Sequence, residues 1–243
     1  MSFALRPGTL DEYIYQQVLE GNEYGLPDEL SEHDIVVDVG AHIGTFARAA
    51  LNRGAGKVYC IEPDPDNLAL ARINLGRFID AGRVTLIQGA AWRADSNDDT
   101  LRFQRGSVMA GLVNTGGGRV VDDAEGYPVT KIDFDALLSE VTANGRKEVR
   151  FLKLDCEGAE WPILFTSRHL AWIREIAGEI HEARVMKTEE PSVNPNFQDL
   201  PLDALVSLLE QQGFNVQYCA CWLDVPHFER LGMLTAKRAT QGD

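Results

Sequence analysis

A glycine turn flanked by carboxylates is the most informative stretch of this chain. It reads Asp38-Val39-Gly40-Ala41-His42-Ile43-Gly44. Gly40 lets the chain turn sharply after a strand. Gly44 allows close approach of a ligand, or of the following helix to the strand. A carboxylate at Asp38 would face a pyrophosphate unfavourably and suits a ligand with a cationic amino group. Glu62 follows the turn by about 20 residues, where a carboxylate can accept hydrogen bonds from both hydroxyls of a ribose. Asp64 is a further acceptor near that end, and Gly89, Ala90 and Ala91 are small enough to leave room beside an adenine ring. A second constellation comes later: Asp155, Glu157 and Glu160, then His181 next to Glu182. Histidine titrates near neutral pH, so His181 is the candidate general base, oriented by Glu182. Glu157 and Glu160 fall near a helix start, where the helix dipole alone would favour them.

The competing reading of the glycine turn is a dinucleotide fingerprint, with glycines at positions 42 and 45. His42 and Thr45 stand there instead. A nicotinamide-dependent oxidoreductase is therefore the weaker alternative, and a non-catalytic adenosine-binding module a third. S-adenosylmethionine, which joins an adenosine to a cationic amino acid, fits the set better. The candidate cofactor contacts are Asp38, Gly40, Ala41, His42, Gly44, Thr45, Glu62, Pro63, Asp64, Asn67, Gly89, Ala90, Ala91 and Asp155. Candidate catalytic residues are His181, Asp155 and Glu182; candidate substrate contacts are Glu157, Trp92, Arg105 and Asn114. The acids near Asp155 could hold a divalent metal through oxygen, but no metal is assigned from the sequence.

Stepping strands must position these groups at their carboxyl ends. Ile35 to Val39, Val58 to Ile61 and Val84 to Gln88 are continuous apolar runs separated by helical stretches, Thr45 to Arg53 and Pro65 to Leu75. That βαβαβ pattern predicts a parallel sheet buried on both faces. The pattern resumes with a helix over Ile132 to Thr142, a strand over Phe151 to Asp155, a helix toward Phe165 and a strand over Ile173 to Ile180. A helix over Leu202 to Gln212 and an antiparallel pair, Phe214 to Ala220 with Met233 to Lys237, end the chain. Thr9 to Glu20 reads as an amphipathic helix with Thr9 as N-cap, Glu12 as its capping-box partner and Leu10, Tyr13, Ile14 and Val18 as its apolar stripe. The whole reads as one domain, 1–243. Residues 1–30 are a helical extension, 93–131 an inserted excursion and 183–200 a lid loop.

Bulk properties narrow the partners. A formal net charge of −14 opposes generic binding to a phosphate backbone, so a small-molecule acceptor is expected rather than nucleic acid. Apolar runs fall short of the roughly 20 residues that a membrane span needs. Cys60, Cys156, Cys219 and Cys221 form neither a disulfide framework nor a zinc pair. With no signal pattern at the start, a cytoplasmic protein is expected, and a homodimer is compatible with the N-terminal helix.

The segments Ile35–Phe46 (IVVDVGAHIGTF), Val58–Asn67 (VYCIEPDPDN) and Phe151–Pro162 (FLKLDCEGAEWP) resemble the FkbM-type methyltransferases. The run Asp155-x-Glu157-Gly158-x-Glu160 is the more specific part, and the resemblance extends over about Ile35 to Glu182. His42 departs from it, standing where the family commonly has Asn. The resemblance implies a Rossmann-like α/β fold with a mostly parallel seven-stranded sheet, an antiparallel C-terminal edge and helices on both faces. It also implies use of S-adenosylmethionine, with O-methylation of natural products, sugars or carboxylic acids as the typical reaction.

Overall fold

Two apolar strands, one carrying Asp38 and the other Arg150 and Lys153, lie side by side at the centre of the molecule. The computed structural model describes residues 3–121, 126–181, 200–221 and 231–238. The chain opens with α1 (Asp11–Tyr15), which widens into a π-helical turn at Gln16–Glu20. There follow β1 (Ile35–Val39), α2 (Thr45–Asn52), β2 (Lys57–Glu62), α3 (Pro65–Asp80) and β3 (Val84–Gln88). The excursion holds β4 (Ala90–Trp92), β5 (Thr100–Gln104), β6 (Val108–Met109), β7 (Leu112–Val113), β8 (Arg119–Val121) and β9 (Tyr127–Asp133). Then come α4 (Phe134–Val141), β10 (Val149–Leu154), α5 (Glu160–Thr166), β11 (Glu175–His181), α6 (Leu202–Gln211), β12 (Phe214–Cys221) and β13 (Leu231–Arg238).

The main sheet has seven strands in the order β12-β13-β11-β10-β1-β2-β3. All pairings are parallel except those of β13, which runs against both β11 and β12. Strand order reverses at β1, between β2 and β10, which opens a crevice at the carboxyl ends of those strands. Strand alternation divides the core. Val37, Val39, Leu152 and Leu154 pack with Phe134, Leu138 and Trp161 on the face of α4 and α5. Val36, Cys60 and Phe151 pack with Phe46, Leu75 and Phe78 on the face of α2 and α3.

Several elements differ from their sequence reading, each for a local reason. Thr9 is not a helix cap: it bridges to Val113, and Leu10 holds the cap position without a side-chain hydrogen bond. Tyr13 leaves the apolar stripe and is 56% exposed, while Val18 is buried. Helix α3 runs past Leu75 to Asp80, because Phe78 continues its buried face. Its start is as sequence chemistry dictates: Asp64 accepts from the N–H groups of Asp66 (2.8 Å) and Asn67 (3.2 Å), with Pro65 at the first position. Ile132 and Asp133 belong to β9 rather than to α4, whose N-cap is Asp133, accepting from the Ala136 N–H at 2.8 Å. The excursion is a four-stranded sheet, β4-β9-β5-β8, plus the β6-β7 hairpin. The 183–199 part of the expected lid and Glu182 lie outside the described residues. Cys60 and Cys156 are free thiols. Among the described residues no helix is long and apolar enough to cross a membrane.

Candidate active site

Gly40 leaves β1 at φ +76°, and a Cβ there would collide with the carbonyl oxygen of Asp155. Only glycine lets β1 and β10 end so close together. The N–H groups of Gly40 and Ala41 both donate to the Ile61 carbonyl at 3.0 Å, folding the turn back over β2. His42 adopts φ +51°, and its N–H donates to Glu62 Oε2 at 2.8 Å. Gly44 serves packing rather than ligand approach: at φ +86°, a Cβ would meet Leu75 Cδ1 at 2.7 Å, so its smallness lets α2 meet α3.

Asp38 is also corrected. It is fully buried and lies outside the cavity walls, because strand alternation turns its side chain into the core layer below the turn. The cation it faces is Lys153 Nζ at 3.4 Å, from the register-matched position on β10. Burial raises the Asp38 pKa, and the Lys153 charge opposes that rise. Lys153 Nζ also donates to the carbonyls of Gly40 (2.6 Å) and Val39 (3.2 Å), so one buried ammonium fastens the glycine turn.

Glu62 ends β2 on the cavity wall. Its Oε1 accepts from Asp64 N–H (2.9 Å) and Asn67 Nδ2 (3.2 Å). Burial raises its pKa, and these hydrogen bonds and nearby His42 oppose the rise. Oε2, which accepts only from the His42 N–H, keeps acceptor capacity for a ligand. Gly89, Ala90 and Ala91 line the same end, as do Pro63 and Thr45. Trp92 is displaced from any substrate role, being 5% exposed in the core against the helical layer. Arg105 reaches the wall, where Asp64 and Asp66 each engage its guanidinium at 2.7 Å. Asn114 Oδ1 accepts from Gly116 (3.2 Å) and Gly117 (2.9 Å) N–H groups, which makes it a turn former on the wall.

A network unforeseen from the sequence closes this end. Arg6 bonds Asp11 through Nε and a terminal nitrogen, both at 2.9 Å, and reaches Asn67 Oδ1 (2.8 Å) and His42 Nε2 (3.2 Å). Thr115 Oγ1, from the excursion, donates to Asp11 Oδ1 at 2.7 Å. His42 Nε2 also lies 2.9 Å from Thr115 Oγ1 and 3.4 Å from Asp11 Oδ1, so Nε2 is the ring nitrogen within this network and Nδ1 lies outside it. That Nδ1 and Thr45 Oγ1 are buried without a hydrogen-bond partner, on residues that line the cavity.

At the other end, Asp155 follows β10, and its Oδ2 accepts from Tyr24 Oη at 2.7 Å, with Lys153 Nζ at 3.7 Å. His181 ends β11 between two carboxylates: Nδ1 is 3.2 Å from Glu160 Oε1, and Nε2 is 3.3 Å from Glu157 Oε2. Glu160, fully buried, accepts from the N–H groups of Cys156 (2.7 Å) and Gly158 (2.9 Å), which is a more specific duty than meeting a helix dipole. Burial alone would lower the His181 pKa, but the charges of Glu157 and Glu160 outweigh it and hold it well above the ordinary value. Burial pushes Glu157 up to about 7, against the His181 charge, and pushes Glu179 up to about 8 with Asp155 adding to it.

These groups line one cavity of about 640 Å³, roofed by Leu10, Ile14 and Val18 on one side and by Met109 and Val113 on the other. Tyr24, Lys153, Glu179 and Arg6 were missed in the sequence. Lys153 had a readable signal, a charge inside an apolar run that must pair when buried on both faces, and so had Glu179 in β11; Tyr24 and Arg6 had none.

The Methyltransferase FkbM domain family matches residues 38–216. Among solved structures, methyltransferase FkbM from Methylobacillus flagellatus KT is 20% identical, covers 87% of this chain and 45% of that chain, and superposes with a TM-score of 0.50. Precorrin-6y C5,15-methyltransferase from Geobacter metallireducens GS-15 is 15% identical over 98% of this chain and 95% of that one, TM-score 0.47. TrmK of M. capricolum, in complex with S-adenosyl-homocysteine, is 11% identical over 90% and 67%, TM-score 0.47. No curated protein sequence matches the chain. The chain thus belongs to the FkbM methyltransferase family, as an S-adenosylmethionine-dependent enzyme on an α/β Rossmann-like fold.

Proposed function

We propose that this enzyme methylates an oxygen of a small-molecule acceptor, a natural product, sugar or carboxylic acid, in the cytoplasm. The observation that carries this reading is one cavity with two chemically different ends: Glu62 with small residues at one, and Asp155, Glu157, Glu179 and His181 at the other. S-adenosylmethionine fits the first end. Glu62 would accept from the ribose through Oε2, Gly89 to Ala91 would flank the adenine, and the unpartnered His42 Nδ1 and Thr45 Oγ1 would face polar atoms of the methionine part. The cofactor supplies a methyl group on a positively charged sulfur. The chain's contribution is alignment and exclusion of water, the latter by the roof of helix and hairpin. A hydroxyl acceptor must lose its proton as the bond forms, and the carboxylates at the second end receive it, Asp155 being held in place by Tyr24 and Lys153.

The test is release of demethylated cofactor with a panel of hydroxyl, carboxyl, amine and carbon acceptors, with the product identified by mass spectrometry. Oxygen methylation is expected; a product methylated on nitrogen or carbon would refute the reading. Asp155→Asn should lower kcat by about 100-fold or more while S-adenosyl-homocysteine affinity stays within about threefold.

A further inference from the structure

Carboxyl groups outnumber basic groups at the acceptor end of the cavity. Asp155, Glu157, Glu160 and Glu179 converge there, and Lys153 and His181 are the cations in ion-pair contact among the described residues. Within that cluster Asp155, Glu157 and His181 each offer one ligand atom, all within 4.8 Å of one another, and all three line the cavity. The His181 Nε2 to Glu157 Oε2 distance of 3.3 Å already matches the roughly 3 to 3.5 Å that separates two ligands of one small divalent cation.

What distinguishes this from an ordinary ion-pair network is the layer behind it. The far nitrogen of His181 points at Glu160, a fully buried carboxylate fixed by two backbone N–H groups. When a metal ion displaces the proton of the near nitrogen, a carboxylate on the far nitrogen keeps the other proton in place and aims the freed lone pair at the ion. Asp155 is likewise held from behind, by the Tyr24 hydroxyl. Both supports come from buried residues, and the cavity side is left open for an acceptor. Two carboxylates and one imidazole suit Mn²⁺ or a similar first-row cation better than Ca²⁺, which takes six or more oxygens.

We propose that Asp155, Glu157 and His181 form a binding site for one divalent cation of the Mn²⁺ class, open to the acceptor end of the cavity. Its use, to hold an acceptor oxygen and ease loss of its proton, rests on the oxygen-methylation reading; its occupancy does not. The experiment is titration of the full chain, stripped with chelator, with MnCl₂, followed by calorimetry and by the loss of free Mn²⁺ signal in electron paramagnetic resonance. One Mn²⁺ per chain is expected, with Glu157→Gln and His181→Gln each weakening it by about tenfold or more. Glu140→Gln, at an exposed position, is expected to leave it unchanged. Each variant is also titrated with S-adenosyl-homocysteine, and one that keeps that affinity is folded. Lack of Mn²⁺ binding by the wild type at about 1 mM, or equal binding by folded Glu157→Gln and His181→Gln, overturns the site. Cofactor binding without any transfer to oxygen acceptors would instead overturn the function reading and leave the cation result standing.

Discussion

Asp11 is sealed from solvent yet held as a carboxylate. Burial alone would raise its pKa, but hydrogen bonds from His42, Arg6 and Thr115 outweigh that and keep it well below the usual range. A carboxylate whose pKa falls on folding adds stability above its unfolded value of about 3.9, and that stability is lost as pH drops through and below it. Asp11→Asn should therefore flatten the acid limb of the stability profile and cost about 2 kcal/mol at neutral pH, a figure reduced because Arg6 is 27% exposed. Chemical denaturation between acid and neutral pH reads both. Gly44→Ala tests the reassigned glycine. Its positive φ and the Leu75 contact predict a loss of about 2 to 4 kcal/mol, with S-adenosyl-homocysteine affinity unchanged in the folded fraction. A selective loss of affinity would restore a ligand role to Gly44. The residue scale is also where sequence reading faltered. Asp38 was legible as a functional charge but not as a structural one, since only the register of β1 on β10 reveals Lys153 as its partner. His181 was placed at the right strand end, and its chemistry was hidden because the two carboxylates beside it arrive from a loop and a helix.

Helix α1 and the β6-β7 hairpin are short, local in sequence and distant from one another, yet together they roof the cavity. The join is backbone: Leu10 N–H donates to the Val113 carbonyl (3.0 Å) and Val113 N–H to the Gly8 carbonyl (3.1 Å). Val113→Pro deletes one donor. It should speed S-adenosyl-homocysteine dissociation several-fold while leaving the main sheet's unfolding transition in place, as stopped-flow displacement and far-UV circular dichroism would record. Unchanged dissociation would mean that the roof does not control exit. The strands of the main sheet were legible because buried parallel strands are continuous apolar runs. The small sheet was not: β9 alternates buried and exposed positions, carries Pro128, and merges without a break into the helical pattern of α4. The roof was invisible for a different reason, since main-chain bridges leave no mark on side-chain pattern.

At the scale of the molecule, a net charge of −14 sets the long-range field that any acceptor meets. A transfer RNA offered at low salt should not shift the protein in a gel or inhibit turnover; binding that weakens steeply with added salt would argue for a nucleic-acid acceptor. The parallel βαβαβ sheet and the C-terminal antiparallel pair followed from the sequence pattern and the count of seven strands from the family resemblance, whereas cavity volume and the convergence of charges depend on contacts far apart in the chain. Lys153 is the extreme case, reaching back 114 residues to the Val39 carbonyl. That span has a kinetic consequence. The glycine turn cannot be fastened until β10 has docked beside β1, so the cofactor end is not a module that the first half of the chain can assemble alone. Long-range closure of this kind is slow. During synthesis the chain must therefore emerge well past the middle before it can grip its cofactor, and a ribosome stalled ahead of β10 would hold a nascent protein still blind to it.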